Sequence, residues 1–399
     1  MFSAHRGYER SGEKVNFSGI RYVIVGAGFF GATIAERIAN ELNEPVLVLE
    51  SRSHVGGNSY SEIDAETGIE IHNYGSHIFH TRDISVWNYV NRFSAFNHYR
   101  HKVLTQYQGN VFFMPINLGT INKFFHRSMT PKEAKVFLEH EAGAEYIACP
   151  SNFEEKAISQ IGRQLYEAFI QGYTKKQWGV NPIELPESIL NRLPIRTDYN
   201  VHYFDDPYQG IPVNGYGKLF ANMLQNPLIE VHLNTDYFQL RSNIPASVVV
   251  IYSGAIDKFF DYCFGELSWR SLRFENEIQE VDDFQGTAVM NYAEESVPFT
   301  RIHEFKHYHP ERCHREGLTV ICREYPDTFG RGKEPFYPVN READKRTLQQ
   351  YINIAKEKGS HVIFGGRLGS YRYFDMDQVV REALDIFELQ IKPRGVMNA

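Results

Sequence analysis

Three groups of residues in this chain have types and spacings that can do chemistry. The first is Gly26-Ala27-Gly28-Phe29-Phe30-Gly31, with Glu50 further on and Gly56-Gly57-Asn58 after it. Glycines at this spacing bring backbone N–H groups close to a pyrophosphate: Gly26 permits the tight turn, Gly28 the close approach and Gly31 the packing of helix on strand. Glu50 is placed to accept from a ribose hydroxyl. The second group is arginines in aromatic company. Arg192 and Arg196 lie on a segment broken by Pro182, Pro186 and Pro194 and preceded by Tyr173 and Trp178; Arg270, Arg273, Arg301 and Arg323 lie in a later segment with Glu324 and Tyr337. An arginine on such a loop suits a lid over a phosphate-bearing ligand, and equally a solvated surface turn. The third is Gly365-Gly366-Arg367 followed by Asp375, which suits the N-cap of a helix whose positive end faces whatever lies beside Gly366.

The elements that must position these residues are legible in part. Tyr22 to Val25 is an apolar run before the glycines, Ile34, Ile38 and Leu42 recur at helical spacing, and Val46 to Leu49 is a second run ending in Glu50. The spacing predicts strand, turn, helix and strand, the dinucleotide-binding unit. The five-residue step from Glu50 to Gly56-Gly57 resembles that of flavoproteins with two dinucleotide domains. Ile69 to Thr81 reads as strand and turn. From about Trp87 to Asn191 the periodicity is helical, with Thr130-Pro131-Lys132-Glu133 forming a capping box. Ser247 to Tyr252 reads as a strand buried on both faces, 263–340 as alternating short strands, and Val362 to Leu384 as a return to strand and helix. There the helix beginning at Asp375 suits the anionic edge of a reduced flavin, or a capped helix with no ligand.

Composition narrows the class. The chain has 399 residues, net charge −7 and 14% aromatic residues. It is long enough for two or three domains, and its charge argues against general affinity for nucleic acid or anionic membrane, so an anionic ligand needs a local arginine cluster. Cys149, Cys263, Cys313 and Cys322 form no paired motif, the first residues lack an apolar core, and no apolar run is long enough to span a bilayer. A cytoplasmic protein without membrane insertion is expected, with 1–18 disordered. His77 and His80, with His72 nearby, lack a third ligand of suitable type at a plausible spacing, and His303, His307, His309, Cys313 and His314 mix strand faces; no metal is expected.

Taken together, VGAGFFG, HVGGNSY, NYGSHIFHT, YTKKQW, LPESILNRLPIR, YFDDPYQGIPVNGYG, TRIHEFKH, FYPVN and GGRLGSYRYFDMDQVV resemble the bacterial UDP-galactopyranose mutases over nearly the whole chain from Arg21. The glycine motif is shared by many flavoproteins; the combination of YTKKQW, NRLP, TRIHEFKH and GGRLGSYRYFDM is far more specific. Ser253, Ala255 and Cys263 stand where Thr, Pro and Arg are usual.

The resemblance implies an α/β fold with a discontinuous Rossmann-like FAD-binding domain (19–92, 214–262 and 340–399). It adds a helical insertion with a mobile lid (93–197) and an antiparallel β-sheet substrate domain (198–213 and 263–339). It implies a cytoplasmic homodimer, an isomerase interconverting UDP-galactopyranose and UDP-galactofuranose for surface glycans. Reduced FAD is its cofactor, with flavin N5 attacking the anomeric carbon as UDP leaves. Arg192 and Arg301 would hold the diphosphate, Trp178 would lie on the lid, and Tyr173, Tyr203 and Phe204 would form the uridine pocket. Arg367, Glu324, Tyr337, Tyr373 and Asp375 would surround the diphosphate, the sugar and the flavin edge. The cofactor would be held by Gly26, Gly28, Phe29, Phe30, Glu50, Gly57, Asn58, His77, Ile78, Tyr237, Gly366, Arg367, Asp375 and Met376. An FAD-dependent oxidase or dehydrogenase, or a non-catalytic relative of the fold, are the other readings the dinucleotide unit allows.

Overall fold

A computed structural model describes residues 9–11, 15–357 and 361–396; the side chain of Arg192 lies outside the description. Two sheets organise the chain. The first is six-stranded and wholly parallel, in the order Glu9–Ser11, Ile229–Leu233, Val46–Leu49, Tyr22–Val25, Val249–Tyr252 and Val362–Phe364. Val46, Leu47, Val48 and Leu49 are all buried, as a strand covered by helices on both faces requires. The helices Phe29–Arg37 and Met376–Ile386 pack side by side on one face, so the first and last glycine motifs meet at the carboxyl ends of the strands.

The second sheet has seven strands, in the order Tyr337–Pro338, Trp269–Gln279, Thr319–Thr328, Arg301–Glu304, Val289–Tyr292, Val103–Tyr107 and Asn110–Met114. All its pairs are antiparallel except Val289–Tyr292 with Val103–Tyr107. Its strands Trp269–Gln279 and Thr319–Thr328 are long and paired along their length rather than short. The helical insertion comprises Leu118–Phe124, Pro131–Ala142 and Phe153–Leu165, the last running through a π-helical turn at Tyr166–Gln171 into Gly172–Trp178. Thr130 accepts from the Glu133 N–H, closing the expected capping box.

Two boundaries differ from expectation. The hairpin Val103–Met114 does not belong to the helical unit that the sequence starts at residue 93. Its strand Val103–Tyr107 pairs with Val289–Tyr292, Leu104 opposite Met290 and Gln106 opposite Tyr292, and Val103, Phe112 and Met114 turn into the core. Within 1–18, Glu9–Ser11 is not disordered: its backbone completes the parallel sheet beside Ile229–Leu233; 1–8 and 12–14 lie outside the described residues. No helix among the described residues is long and apolar enough to cross a membrane.

Candidate active site

The glycine turn after Tyr22–Val25 is tight for reasons visible atom by atom. Gly26 has φ +96°, and a Cβ there would lie 2.3 Å from Ser253 Oγ; one at Gly31 would lie 1.9 Å from the Gly26 carbonyl oxygen. Ser253, which departs from the family's residue, donates its hydroxyl to Val25 O at 2.6 Å and so closes the turn from the neighbouring strand. A Cβ at Gly28 would meet only the Gly57 backbone, at 3.8 Å, so this edge of the turn faces space. That space is a cavity of about 640 Å³. It is lined by Gly26, Gly28, Phe29, Phe30, Glu50, Gly57, Asn58, His77, Tyr237, Gly366, Arg367 and Met376. Glu50 is already engaged: one oxygen accepts from the Ala27 N–H at 2.8 Å and the other from the Arg52 N–H at 2.9 Å. The carboxylate thus holds the turn as well as facing the cavity.

A second cavity of about 250 Å³ opens beside the first, and Asn58, His77, Arg367 and Met376 line both. Its walls bring together Ile78, Tyr173, Tyr203, Phe204, Arg301, Glu324, Tyr337, Tyr373 and Asp375. Trp178 is not among them: its ring stands 6.4 Å from that of Tyr337, behind the wall. Arg192 ends the 3-10 segment Glu187–Arg192, and Leu193 next to it lines the cavity.

Each side chain is held by its element. The helix Gly172–Trp178 carries Tyr173, and its last carbonyls, Lys176 O and Gln177 O, accept from Arg270. Lys176 Nζ reaches the carbonyls of Tyr292, Glu294, Val297 and Phe299 at 2.8 to 3.0 Å, fixing the helix to the end of the strand Val289–Tyr292 and the loop that follows it. Arg301 and Glu324 sit opposite one another in the antiparallel register. Tyr337 stacks on Tyr373 at 5.2 Å and 7°. Arg367 donates to the carbonyls of Phe336 and Phe374 and lies 5.4 Å from the Tyr373 ring centroid. Asp375 caps the helix Met376–Ile386 with Gln378, as its spacing predicts.

The charges are held by pairing, against the cost of burial. Arg301 Nε lies 3.4 Å from Glu324 Oε1, too loose for a hydrogen bond, and a terminal nitrogen contacts the Tyr173 hydroxyl. Burial works against the guanidinium charge, but Glu324 and Tyr173 raise its pKa well above the ordinary value. Burial likewise opposes the Glu324 charge, and Arg301 with His303 more than offsets it, holding the carboxyl below its usual range. His77 is pushed down to about 4 and His101 to about 3, chiefly by burial, so both are neutral at physiological pH. The histidines considered as metal ligands part company: His80 pairs with Asp206, His77 with the Gly75 carbonyl, His303 with Glu324 and His309 with Glu70. Among the described residues Asp283, Glu304 and His307 are the one trio close enough to share an ion. The Glu304 carboxylate is occupied there by Thr319 Oγ1 and the Phe284 and Gln285 N–H groups.

Sequence reasoning missed Ser76, His101, Thr105 and Asn291, which also line the second cavity. They are single polar residues on strands or turns, and no spacing marks them. His101 is 6% exposed, with Nδ1 3.0 Å from the Tyr99 hydroxyl.

The comparisons with known proteins agree with this geometry. A family model described as UDP-galactopyranose mutase matches residues 168–373, and one for an NAD(P)-binding Rossmann-like domain matches 24–93. The chain is 42% identical over 362 residues to the probable UDP-galactopyranose mutase of Klebsiella pneumoniae, covering 91% of this chain and 92% of that one. It is 40% identical over 378 residues to the dTDP-fucopyranose mutase of Escherichia coli, covering 93% and 98%. The fold matches a crystal structure of reduced UDP-galactopyranose mutase with TM-score 0.73 at 16% identity, over 95% of this chain and 96% of that one. With a Rossmann-like parallel sheet, a seven-stranded sheet bearing the Arg301–Glu324 pair, and relatives this similar along almost their full length, the chain belongs to the UDP-galactopyranose mutase family of isomerases.

Proposed function

We propose that this chain interconverts UDP-galactopyranose and UDP-galactofuranose with reduced FAD as its cofactor. The observation that carries the reading is Arg301: a half-buried cation, held by Glu324 and Tyr173, that lines a cavity opening directly onto the dinucleotide cradle. A diphosphate ester supplies paired oxygens that accept from such a fork.

The first cavity fits FAD. Its turn admits no side chain at Gly26 or Gly31, its edge at Gly28 is open, and an acid, Glu50, stands at the carboxyl end of the neighbouring strand. Gly28 and Phe29 would hold the pyrophosphate, Glu50 and Tyr237 the adenosine half, and Asn58, His77, Gly366, Arg367 and Met376 the isoalloxazine half. Reduced flavin supplies an electron-rich nitrogen nucleophile, which none of the side chains facing the sugar offers.

The protein's own contribution is to bind, orient and exclude water. Tyr173, Tyr203 and Phe204 offer rings to the uracil and ribose. Arg301, with Arg192 from the loop and Arg367 from the cofactor side, neutralises the diphosphate as it departs, where charge develops. Tyr337, Tyr373 and Asp375 face the sugar, and Glu324 holds Arg301. His77 and His101 remain neutral, so the positive charge comes from the arginines. The lid segment around Leu193 keeps water from the reacting carbon. The same reading places the enzyme in the cytoplasm as a homodimer supplying a furanose donor for surface glycans.

A second reading has a specific observation behind it: the similarity to the Escherichia coli dTDP-fucopyranose mutase is nearly as high and covers more of that relative. The two substrates differ in the base, the ribose 2′-hydroxyl and the sugar 6-hydroxyl. Incubating the dithionite-reduced protein with each nucleotide pyranose and resolving the furanose by chromatography tests both. The proposal expects UDP-galactofuranose to form with the higher kcat/KM; preference for dTDP-fucose transfers the assignment, and furanose from neither overturns it.

A further inference from the structure

We propose that Tyr308, Ser76 and His303 form a buried hydrogen-bond relay that positions Glu324, and through it Arg301, for the substrate diphosphate. This rests on the reading of the second cavity given above. His303 is wholly buried on the strand Arg301–Glu304. Its Nε2 lies 3.0 Å from Glu324 Oε2, its Nδ1 meets Ser76 Oγ, and the same Oγ meets the Tyr308 hydroxyl.

The protons in this chain have one consistent placement. Burial keeps the imidazole neutral, with Glu324 only partly opposing it, while Glu324 itself stays ionised. A neutral imidazole has a single N–H, and a carboxylate only accepts. The proton therefore sits on Nε2 and is donated to Glu324. Nδ1 is then bare and accepts from the Ser76 hydroxyl, whose oxygen in turn accepts from Tyr308. Glu324 is left with its other oxygen turned to Arg301 Nε at 3.4 Å and Thr300 Oγ1 at 3.5 Å. A chain of donors all pointing one way strengthens each link in a low-dielectric interior.

The relay also ties the two cavities together. Ser76 sits between Gly75 and His77; His77 lines both cavities, and a Cβ at Gly75 would come 3.5 Å from Glu324 Oε2. His303 and Tyr308 line neither cavity, so they act through Ser76 and Glu324 and are positioning residues. The groups facing His303 are Glu324 and Arg301 alongside, Cys322 across the ladder, Tyr308 through Ser76, and His72, His77 and His101 at longer range.

Two measurements on the full-length flavoprotein test this. Long-range ¹H–¹⁵N imidazole spectra, with the His303 signal identified by its loss in His303→Gln, should show a neutral Nε2–H tautomer at neutral pH and above. An Nδ1–H or charged imidazole in that range overturns the relay. Titration with UDP should show the dissociation constant raised about tenfold in His303→Leu and severalfold in Ser76→Ala, but within about twofold of wild type in His303→Gln, whose amide keeps a donor for Glu324. Wild-type affinity in both His303→Leu and Ser76→Ala contradicts the positioning role. If wild type itself fails to bind UDP, the reading of the cavity falls, and the imidazole spectrum still judges the relay.

Discussion

The dinucleotide cradle and the substrate cavity share four lining residues yet are built by opposite means. The cradle is backbone: three glycines within six residues, positions where a side chain would collide with Ser253 Oγ or with the Gly26 carbonyl, and an acid whose oxygens hold the turn. The substrate cavity is side chains gathered from a helix at Tyr173, a loop at Tyr203, three strands carrying Arg301, Glu324 and Tyr337, and the turn at Arg367 and Tyr373. In the first, the turn and its acid are specified locally, and Ser253, Tyr237 and Gly366 join them from later in the chain. The second exists only once two sheets and the helical insertion have docked, and its charges take their strength from that burial.

The contrast predicts that damage to one region should be separable from damage to the other. The largest effect is expected for Arg301→Ala, which should lower kcat/KM on the nucleotide sugar by about 10²- to 10³-fold while leaving bound flavin unchanged. Loss of flavin absorbance in parallel would mean that the cavities are not separately built. Gly31→Ala should do the reverse. Its Cβ would drive into the Gly26 carbonyl, so the protein should lose about 1–3 kcal/mol of stability and much of its flavin, read by thermal denaturation and visible absorbance.

Acid should act on the packing that unites the two regions. His72, buried among Tyr216, Phe305 and Tyr308, takes up a proton in the folded chain only near pH 3, chiefly because of burial, against 6.5 for a free imidazole. The stability it contributes is complete above pH 6.5 and is lost as pH falls towards 3. Glu70 follows lower down. Burial alone would raise it, but His309, His72 and Ser61 pull it to about 2 from 4.5, so its contribution disappears between those values. The melting temperature should therefore decline steadily below about pH 6.5; a profile flat to pH 4 would show that these groups are not buried as described. The smallest effect sets the baseline: Arg163→Gln breaks an exposed pair with Glu145 on the helical insertion and should leave the melting temperature within error of wild type.

The sequence made the cradle legible because glycine spacing, a β-branched run and an acid lie within one local stretch of chain. The caps at Thr130 and Asp375 were legible for the same reason. The cavity was legible only by resemblance: nothing in TRIHEFKH says that Arg301 will face Glu324, because that pairing is set by the register of two strands some twenty residues apart. The hairpin Val103–Met114 was hidden inside a helical stretch, since its partner strand begins at Val289. Ser76 and His101 carry no pattern at all, and only docking places them beside Arg301 and Phe204.

The most direct test of the central claim, that the two cavities form one site for ring contraction without net redox change, is to count furanose formed per reducing equivalent consumed. The account predicts many turnovers of UDP-galactofuranose from a protein reduced once under anaerobic conditions. One furanose per reducing equivalent, or product only while reductant is being spent, would contradict it.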